Sequence, residues 1–203
     1  MQWKQVSIFL SFLLVIGLFS ACQKQVDLSQ PPASSVSDTE MNEASVNSQT
    51  ESLFVKFDSV DLNGESVSSE EFSDYKLTVI NIWGTWCPPC VSELPELQEV
   101  SQAFADQETR LIGMLQDGVN ADGTEKNNQV IENAKVLMET AKADYTVVLP
   151  DATFMTEIMS KVQAFPTTLF VDSEGEVIHA VSGARNFDQW SELIHAVLQV
   201  LEE

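Results

Sequence analysis

The 203-residue chain is predicted to fold as an α/β domain with a mixed central β-sheet flanked by helices. Three observations support this prediction. Short β-branched or apolar runs alternate with segments whose apolar residues recur every three or four positions. Two late runs, 167–171 and 176–181, are separated by a short turn and indicate a hairpin. Residues 190–201 then have the apolar spacing of an amphipathic helix.

The folded part is predicted to span residues 53–203 and to begin with strands. Residues 53–57 and 60–62 are apolar runs, and Asn63-Gly64 is a turn signal, so we expect an N-terminal β-hairpin extension. Residues 77–83 follow as an almost continuous apolar and β-branched run, which is typical of a central strand buried on both faces.

A helix is predicted directly after this strand, because apolar residues recur at helical spacing between Val91 and Phe104. Pro95 lies inside that helix and is expected to kink it or to remove a hydrogen bond one turn earlier. The next predicted elements are a strand at 111–115, a polar stretch with an inserted helix at 116–142, a strand at 145–149 and a short helix. Phe154, Ile158 and Val162 outline that short helix.

The N-terminus has the pattern of an export signal. Residues 1–21 contain one charge, Lys4, then an apolar run and the small residues Ser20 and Ala21 before Cys22. The segment 19–22 resembles the lipobox of bacterial lipoproteins, which implies that Cys22 becomes the lipid-modified first residue. An uncleaved N-terminal anchor and a conventionally cleaved signal are the alternatives.

Residues 22–52 are predicted to form a disordered tether. The stretch is rich in Ser, Asn and Gln, contains Pro31-Pro32 and has almost no large apolar side chain, so it cannot bury a core. A flexible coil of about 30 residues has an r.m.s. reach of about 30 Å. With Cys22 lipidated, the domain is expected outside the cytoplasm and held near the membrane of a bacterial cell.

The charge balance excludes some classes of partner. Ten basic residues stand against 31 acidic ones, for a net charge of −21. So acidic a chain is not expected to bind nucleic acid or an anionic membrane surface. A solvated acidic surface is the favoured interpretation, and steering toward a basic partner is the other.

The Cys-Pro-Pro-Cys motif at 87–90 is the main functional signal. If a helix begins here, Cys87 is its N-cap, and the helix terminus lowers the pKa of its thiol, which makes Cys87 the attacking sulfur. Pro88 and Pro89 have no N–H, so the Cys90 amide is the nearest donor left for the Cys87 sulfur. Cys90 is then suited to resolve a mixed disulfide. A static disulfide and half of a zinc site are the alternatives, but a zinc site needs two further ligands.

The segment from Trp86 to Cys90 after a buried strand resembles the thioredoxin superfamily, specifically its membrane-tethered TlpA/ResA-like branch of thiol-disulfide oxidoreductases. Asn81, the sequence Glu93-Leu94-Pro95 and the sequence Phe165-Pro166-Thr167-Thr168 also match that branch. The resemblance covers residues 53–203 and implies a thioredoxin-like fold. Ala164 departs from it, since the branch often has Gly there.

The resemblance also implies roles for individual residues. Glu93 lies one helical turn after Cys90 and is expected to handle its proton, although an ordinary exposed helix residue is the alternative. Pro166 is expected to be the cis-proline that faces the disulfide. Trp86, Pro88 and Phe165 are expected to contact the substrate together with Pro166.

The predicted function is that of a protein-disulfide reductase. It would receive electrons from a membrane-embedded thiol donor and pass them to oxidised protein substrates. A disulfide-forming oxidase with the same fold is the first alternative, and a lipoprotein that binds a metal or a partner without catalysis is the second. We expect a monomer, with no cofactor and no metal.

Overall fold

The computed structural model describes residues 52–203. The predictions for the signal peptide at 1–21, for lipidation of Cys22 and for nearly all of the tether at 22–52 therefore lie outside the described residues.

Seven strands and four α-helices make up the described part of the chain. In order they are β1 (Asp58–Val60), β2 (Ser66–Ser68), β3 (Leu77–Trp83), α1 (Pro88–Phe104), β4 (Thr109–Leu115), α2 (Asn128–Ala141), β5 (Val147–Val148), α3 (Ala152–Glu157), β6 (Thr167–Asp172), β7 (Val177–Ser182) and α4 (Phe187–Leu201).

The central sheet has the strand order β5-β4-β3-β6-β7. Strands β3, β4 and β5 are parallel, whereas β6 pairs antiparallel with β3 and β7 pairs antiparallel with β6. The sheet is therefore mixed, as predicted. The central strand β3 is buried along its whole length, because it has a neighbour on each side and a covered surface above and below.

Helices cover both faces of the sheet, which confirms the predicted layers. On one face, Val79 and Trp83 of β3 belong to a core cluster that includes residues of α1, α2 and α4. On the other face, Ile80 and Ile82 belong to a second cluster that includes Phe154 of α3 and the N-terminal segment. The alternation follows from the strand period, since successive side chains point to opposite faces.

The N-terminal hairpin is present, but its strands are shorter and lie later than predicted. The antiparallel pair is formed by β1 and β2, and residues 53–57 contribute only an isolated bridge between Phe54 and Glu176. The side chain of Asp61 explains the position of the turn between β1 and β2. Its Oδ1 accepts the backbone N–H groups of Asn63 and Glu65, at 2.8 and 2.9 Å.

One other prediction on local structure needs correction, and the prediction for Pro95 agrees with the structure in its second alternative, the loss of a hydrogen bond one turn earlier. The strand predicted at 145–149 is regular only at Val147 and Val148. Helix α1 runs without interruption through Pro95, so the proline does not end the helix. Because proline has no N–H, the carbonyl of Val91 one turn earlier receives no helical hydrogen bond from it.

Candidate active site

The two cysteines lie at the start of α1, just after the turn that follows β3. Cys87 is the N-cap of α1, and its sulfur accepts the backbone N–H of Cys90 at 3.4 Å. Pro88 and Pro89 occupy the first two helical positions, where the N–H they lack has no intrahelical partner in any case. The geometry predicted for this turn is therefore confirmed.

Cys87 and Cys90 form a disulfide with an S–S distance of 2.02 Å. Both cysteines are buried, and the flanking Trp86 and Pro88 are exposed. On reduction, a thiolate at Cys87 would face the partial positive charge of the helix N-terminus, which favours the ionised form. The arrangement is suited to thiol–disulfide exchange at the Cys87 sulfur.

An aromatic pair stands beside the disulfide. Trp86 is 58% exposed, and its ring meets the ring of Phe165 edge-on with centroids 5.3 Å apart. The Phe165–Pro166 peptide bond is cis, as the resemblance implied. Pro166 is buried, and its carbonyl accepts the Gly183 N–H at 2.8 Å. The loop before β6 is thus brought next to the cysteine turn, although 75 or more residues separate them in sequence.

Glu93 is buried, which distinguishes it from an ordinary surface residue of a helix: only 2% of it is exposed. One carboxylate oxygen accepts the backbone N–H of Arg185 at 2.6 Å and the indole Nε1–H of Trp190 at 3.0 Å. The other accepts the Asn81 amide at 3.4 Å. Each of these donors stabilises the ionised carboxylate.

Burial nevertheless dominates the protonation of Glu93. Removal of the carboxylate from water raises its pKa from 4.5 to about 7, against the lowering effect of the three donors and of the nearby Arg185 guanidinium. A carboxyl with a pKa near neutrality can both accept and release a proton at physiological pH. Such a group lies one helical turn after Cys90.

Asn81 connects Glu93 to β6, the strand that directly follows Pro166. It lies in β3 opposite Thr168 of β6, and its amide also donates to the Thr168 hydroxyl at 3.0 Å. Its carbonyl oxygen is buried with no hydrogen-bond partner among the described residues. Rotation of the amide by 180° would therefore offer Glu93 an acceptor in place of a donor.

Several groups at this site were not singled out from the sequence. The apolar spacing of the last helix indicates only a core position for Trp190, and no sequence pattern indicates a functional role for Arg185 or Thr168. Asp117, two residues after the end of β4, accepts hydrogen bonds from Thr85 in the turn before the cysteines. The position of Asp117 after a predicted strand could have indicated it, because the carboxyl ends of neighbouring parallel strands meet at one edge of the sheet.

Among residues 52–203, no helix is both long enough and apolar enough to cross a membrane.

Comparison with known proteins agrees with this geometry. The AhpC/TSA family model matches residues 51–180, which is more than half of the chain. Sporulation thiol-disulfide oxidoreductase A of Bacillus subtilis is 28% identical over 120 residues, covering 57% of this chain and 66% of that protein. Thiol:disulfide interchange protein DsbE of Pasteurella multocida is 29% identical over 134 residues, covering 66% of each. The chain thus spans slightly less than two thirds of the length of these relatives.

A solved structure of a thioredoxin-family thiol:disulfide interchange protein from Chlorobium tepidum superimposes with a TM-score of 0.57 at 23% identity. The match covers 71% of this chain and 95% of that one. This likeness shows a thioredoxin-like fold, as the sequence resemblance implied. With the family match over residues 51–180, it follows that the chain belongs to the AhpC/TSA family and has a thioredoxin-like fold.

Proposed function

We propose that this chain is a thiol-disulfide oxidoreductase that reduces disulfides of partner proteins. The observation that carries the proposal is the cysteine pair at the start of α1, where the Cys87 sulfur accepts the Cys90 N–H and faces the helix terminus. The printed names of the relatives, thiol-disulfide oxidoreductase and thiol:disulfide interchange protein, support the same activity.

The reaction proceeds by two exchanges. The Cys87 thiolate attacks one sulfur of the client disulfide, a mixed disulfide forms, and the other client sulfur leaves as a thiolate that takes a proton from water. Cys90 then loses its proton and attacks the Cys87 sulfur. This step forms the Cys87–Cys90 disulfide and releases the second client thiolate, so the client gains two electrons and the protein loses two.

Glu93 accepts the proton of Cys90 in the second exchange. The proposal is supported by its place one turn after Cys90 and by its pKa of about 7. The exposed Trp86 and Pro88, together with the half-buried Phe165 and the buried Pro166, hold the client segment next to the sulfurs. The edge-on contact of Trp86 with Phe165 supports this role, because it presents an apolar surface beside Cys87.

The chain works outside the cytoplasmic membrane, attached through a lipid on Cys22. A membrane-embedded dithiol regenerates the reduced pair by donating two electrons to the Cys87–Cys90 disulfide. This part of the proposal is supported by the sequence of residues 1–52, in which an export signal ends at Cys22 and a polar tether follows.

Trapping of the mixed disulfide tests the proposal. C90A retains the attacking sulfur but lacks the resolving one, so it should accumulate adducts with client proteins that disappear on treatment with dithiothreitol. C87A is the matched control and should trap none. The wild-type protein should also reduce insulin disulfides. Absence of both adducts and insulin reduction would contradict the proposed function.

A further inference from the structure

The turn between β3 and the cysteines is held by a carboxylate from another part of the chain. Thr85 directs both its backbone N–H and its hydroxyl at Asp117. The N–H lies 3.2 Å from each carboxylate oxygen, and the hydroxyl lies 2.6 Å from Oδ2. Hydrogen bonds to an ionised acceptor are shorter and stronger than those between neutral groups.

The sheet brings these two residues together. Strands β3 and β4 are parallel, and Trp83 at the end of β3 is in register with Leu115 at the end of β4. Thr85 and Asp117 each follow two residues later. Asp117 lies in the short 3-10 turn at Gln116–Gly118, the first part of the stretch inserted before α2.

The same turn is constrained at its other positions. The Cys87 N–H donates to the Gly84 carbonyl at 3.1 Å and closes the turn. A Cβ at Gly84 would lie 2.8 Å from Nε1 of Trp86, so the indole lies against the bare backbone of Gly84. The turn therefore determines where both Trp86 and Cys87 stand.

We propose that Asp117 is a positioning residue for client recognition: by holding Thr85, its carboxylate fixes the turn that presents Trp86 to the client segment and Cys87 to the client disulfide. This inference rests on the proposed function and deepens it. Without the hydrogen bonds from Thr85 to Asp117, the turn samples other conformations. Binding of an extended client must then also order the turn, which weakens the binding. A small disulfide that touches only the Cys87 sulfur does not incur that cost.

The test compares a protein disulfide with a small one in single turnovers of the reduced protein. Insulin and bis(2-hydroxyethyl) disulfide serve as the two oxidants, and the oxidised fraction is read by acid quenching and thiol alkylation. D117A and T85V are expected to react with insulin about tenfold more slowly or slower still, the size of effect that follows from the loss of a hydrogen bond to a charged group. Their reaction with the small disulfide should stay within about twofold of the wild type.

T85V separates positioning from a direct effect of charge, because it removes the hydroxyl and leaves the carboxylate in place. T85S keeps the hydroxyl and should react like the wild type with both oxidants. A wild-type rate with insulin for T85V and D117A would overturn the inference. So would an equal slowing with both disulfides, which would mean that the anchor serves the sulfur chemistry and not the client.

A different result would contradict the proposed function, so the two failures can be distinguished. If the wild-type protein reduces neither disulfide, the function itself is wrong. If D117A does not fold, as judged by its circular dichroism, T85V and T85S still test the inference. T85V replaces only the hydroxyl by a methyl group, and T85S removes only the methyl group.

Discussion

Replacement of Glu93 by Gln should abolish one component of the pH dependence of stability. The Glu93 carboxyl has its pKa raised to about 7 by burial, whereas the value in the unfolded chain is close to 4.5. Between these pH values the unfolded chain releases the proton and the folded protein keeps it. Folding is therefore most favoured by this group below pH 4.5, and the contribution is lost as the pH rises to about 7.

The magnitude follows from the two pKa values. A tenfold change in proton affinity corresponds to about 1.4 kcal/mol, so a rise from 4.5 to about 7 amounts to roughly 3 kcal/mol. Glu93 is 2% exposed, so solvent screening reduces this figure little. The wild-type protein should lose roughly that much free energy of unfolding relative to E93Q between pH 4.5 and pH 8.

The comparison isolates Glu93 from the other acidic groups. The introduced amide does not titrate, so its own cost is the same at every pH. Asn81 can turn its unpartnered carbonyl oxygen toward the introduced NH₂ group, which limits that cost. Tyr145, whose burial raises its pKa above the usual range, does not titrate in this interval.

Urea denaturation of both proteins in the disulfide form, at intervals from pH 4.5 to 8, measures the difference. The expected result is a gap in unfolding free energy that widens toward neutral pH and is constant above it. If the two profiles run parallel over the whole range, Glu93 is ionised in the folded protein at pH 5 and the argument from burial is wrong.

Three further results are expected. E93Q should resolve the mixed disulfide on the order of a hundredfold more slowly at pH 7, because general acid–base groups contribute at least that much; single-turnover quenching would show the adduct accumulate, and an unchanged rate would exclude the proton role. N81D should raise the pKa of Glu93 further, since it replaces a hydrogen-bond donor with a like charge. In the same urea series, the unfolding free energy of N81D should therefore continue to decrease above pH 7, where that of the wild type is no longer affected by Glu93. W86A should slow insulin reduction several-fold and change the unfolding free energy by less than about 1 kcal/mol, because the side chain is mostly exposed; equal rates would show that the aromatic pair does not contact clients.

The parts of the fold that local sequence determines were predictable. The apolar β3 run and the two prolines after Cys87 indicate a buried strand followed by a helix start, because proline is favoured in the first helical turn. The length of β5 was not predictable, since residues 145–149 are all aromatic, β-branched or apolar but only two of them pair with β4. Pairing, not composition, decides where such a strand ends.

The candidate site was predictable to the extent that it is local. Cys87, Cys90 and Glu93 lie on one turn-to-helix segment, and their spacing alone places them together. The groups that donate hydrogen bonds to Glu93 come from residues 12, 92 and 97 positions away. The contact between Thr85 and Asp117 depends in the same way on strand register. Such groups become neighbours only when the sheet and α4 are assembled.

The redox state of Cys87 and Cys90 in the native host tests the central claim most directly. Cells are acidified to freeze exchange, free thiols are labelled with a maleimide that adds mass, and the chain is detected by immunoblot, with a C87A/C90A double variant as the unshifted reference. A protein-disulfide reductase supplied with electrons should carry both labels in most molecules at steady state. A pool that is mostly unlabelled at both cysteines would contradict the account and indicate a protein that forms disulfides in its clients.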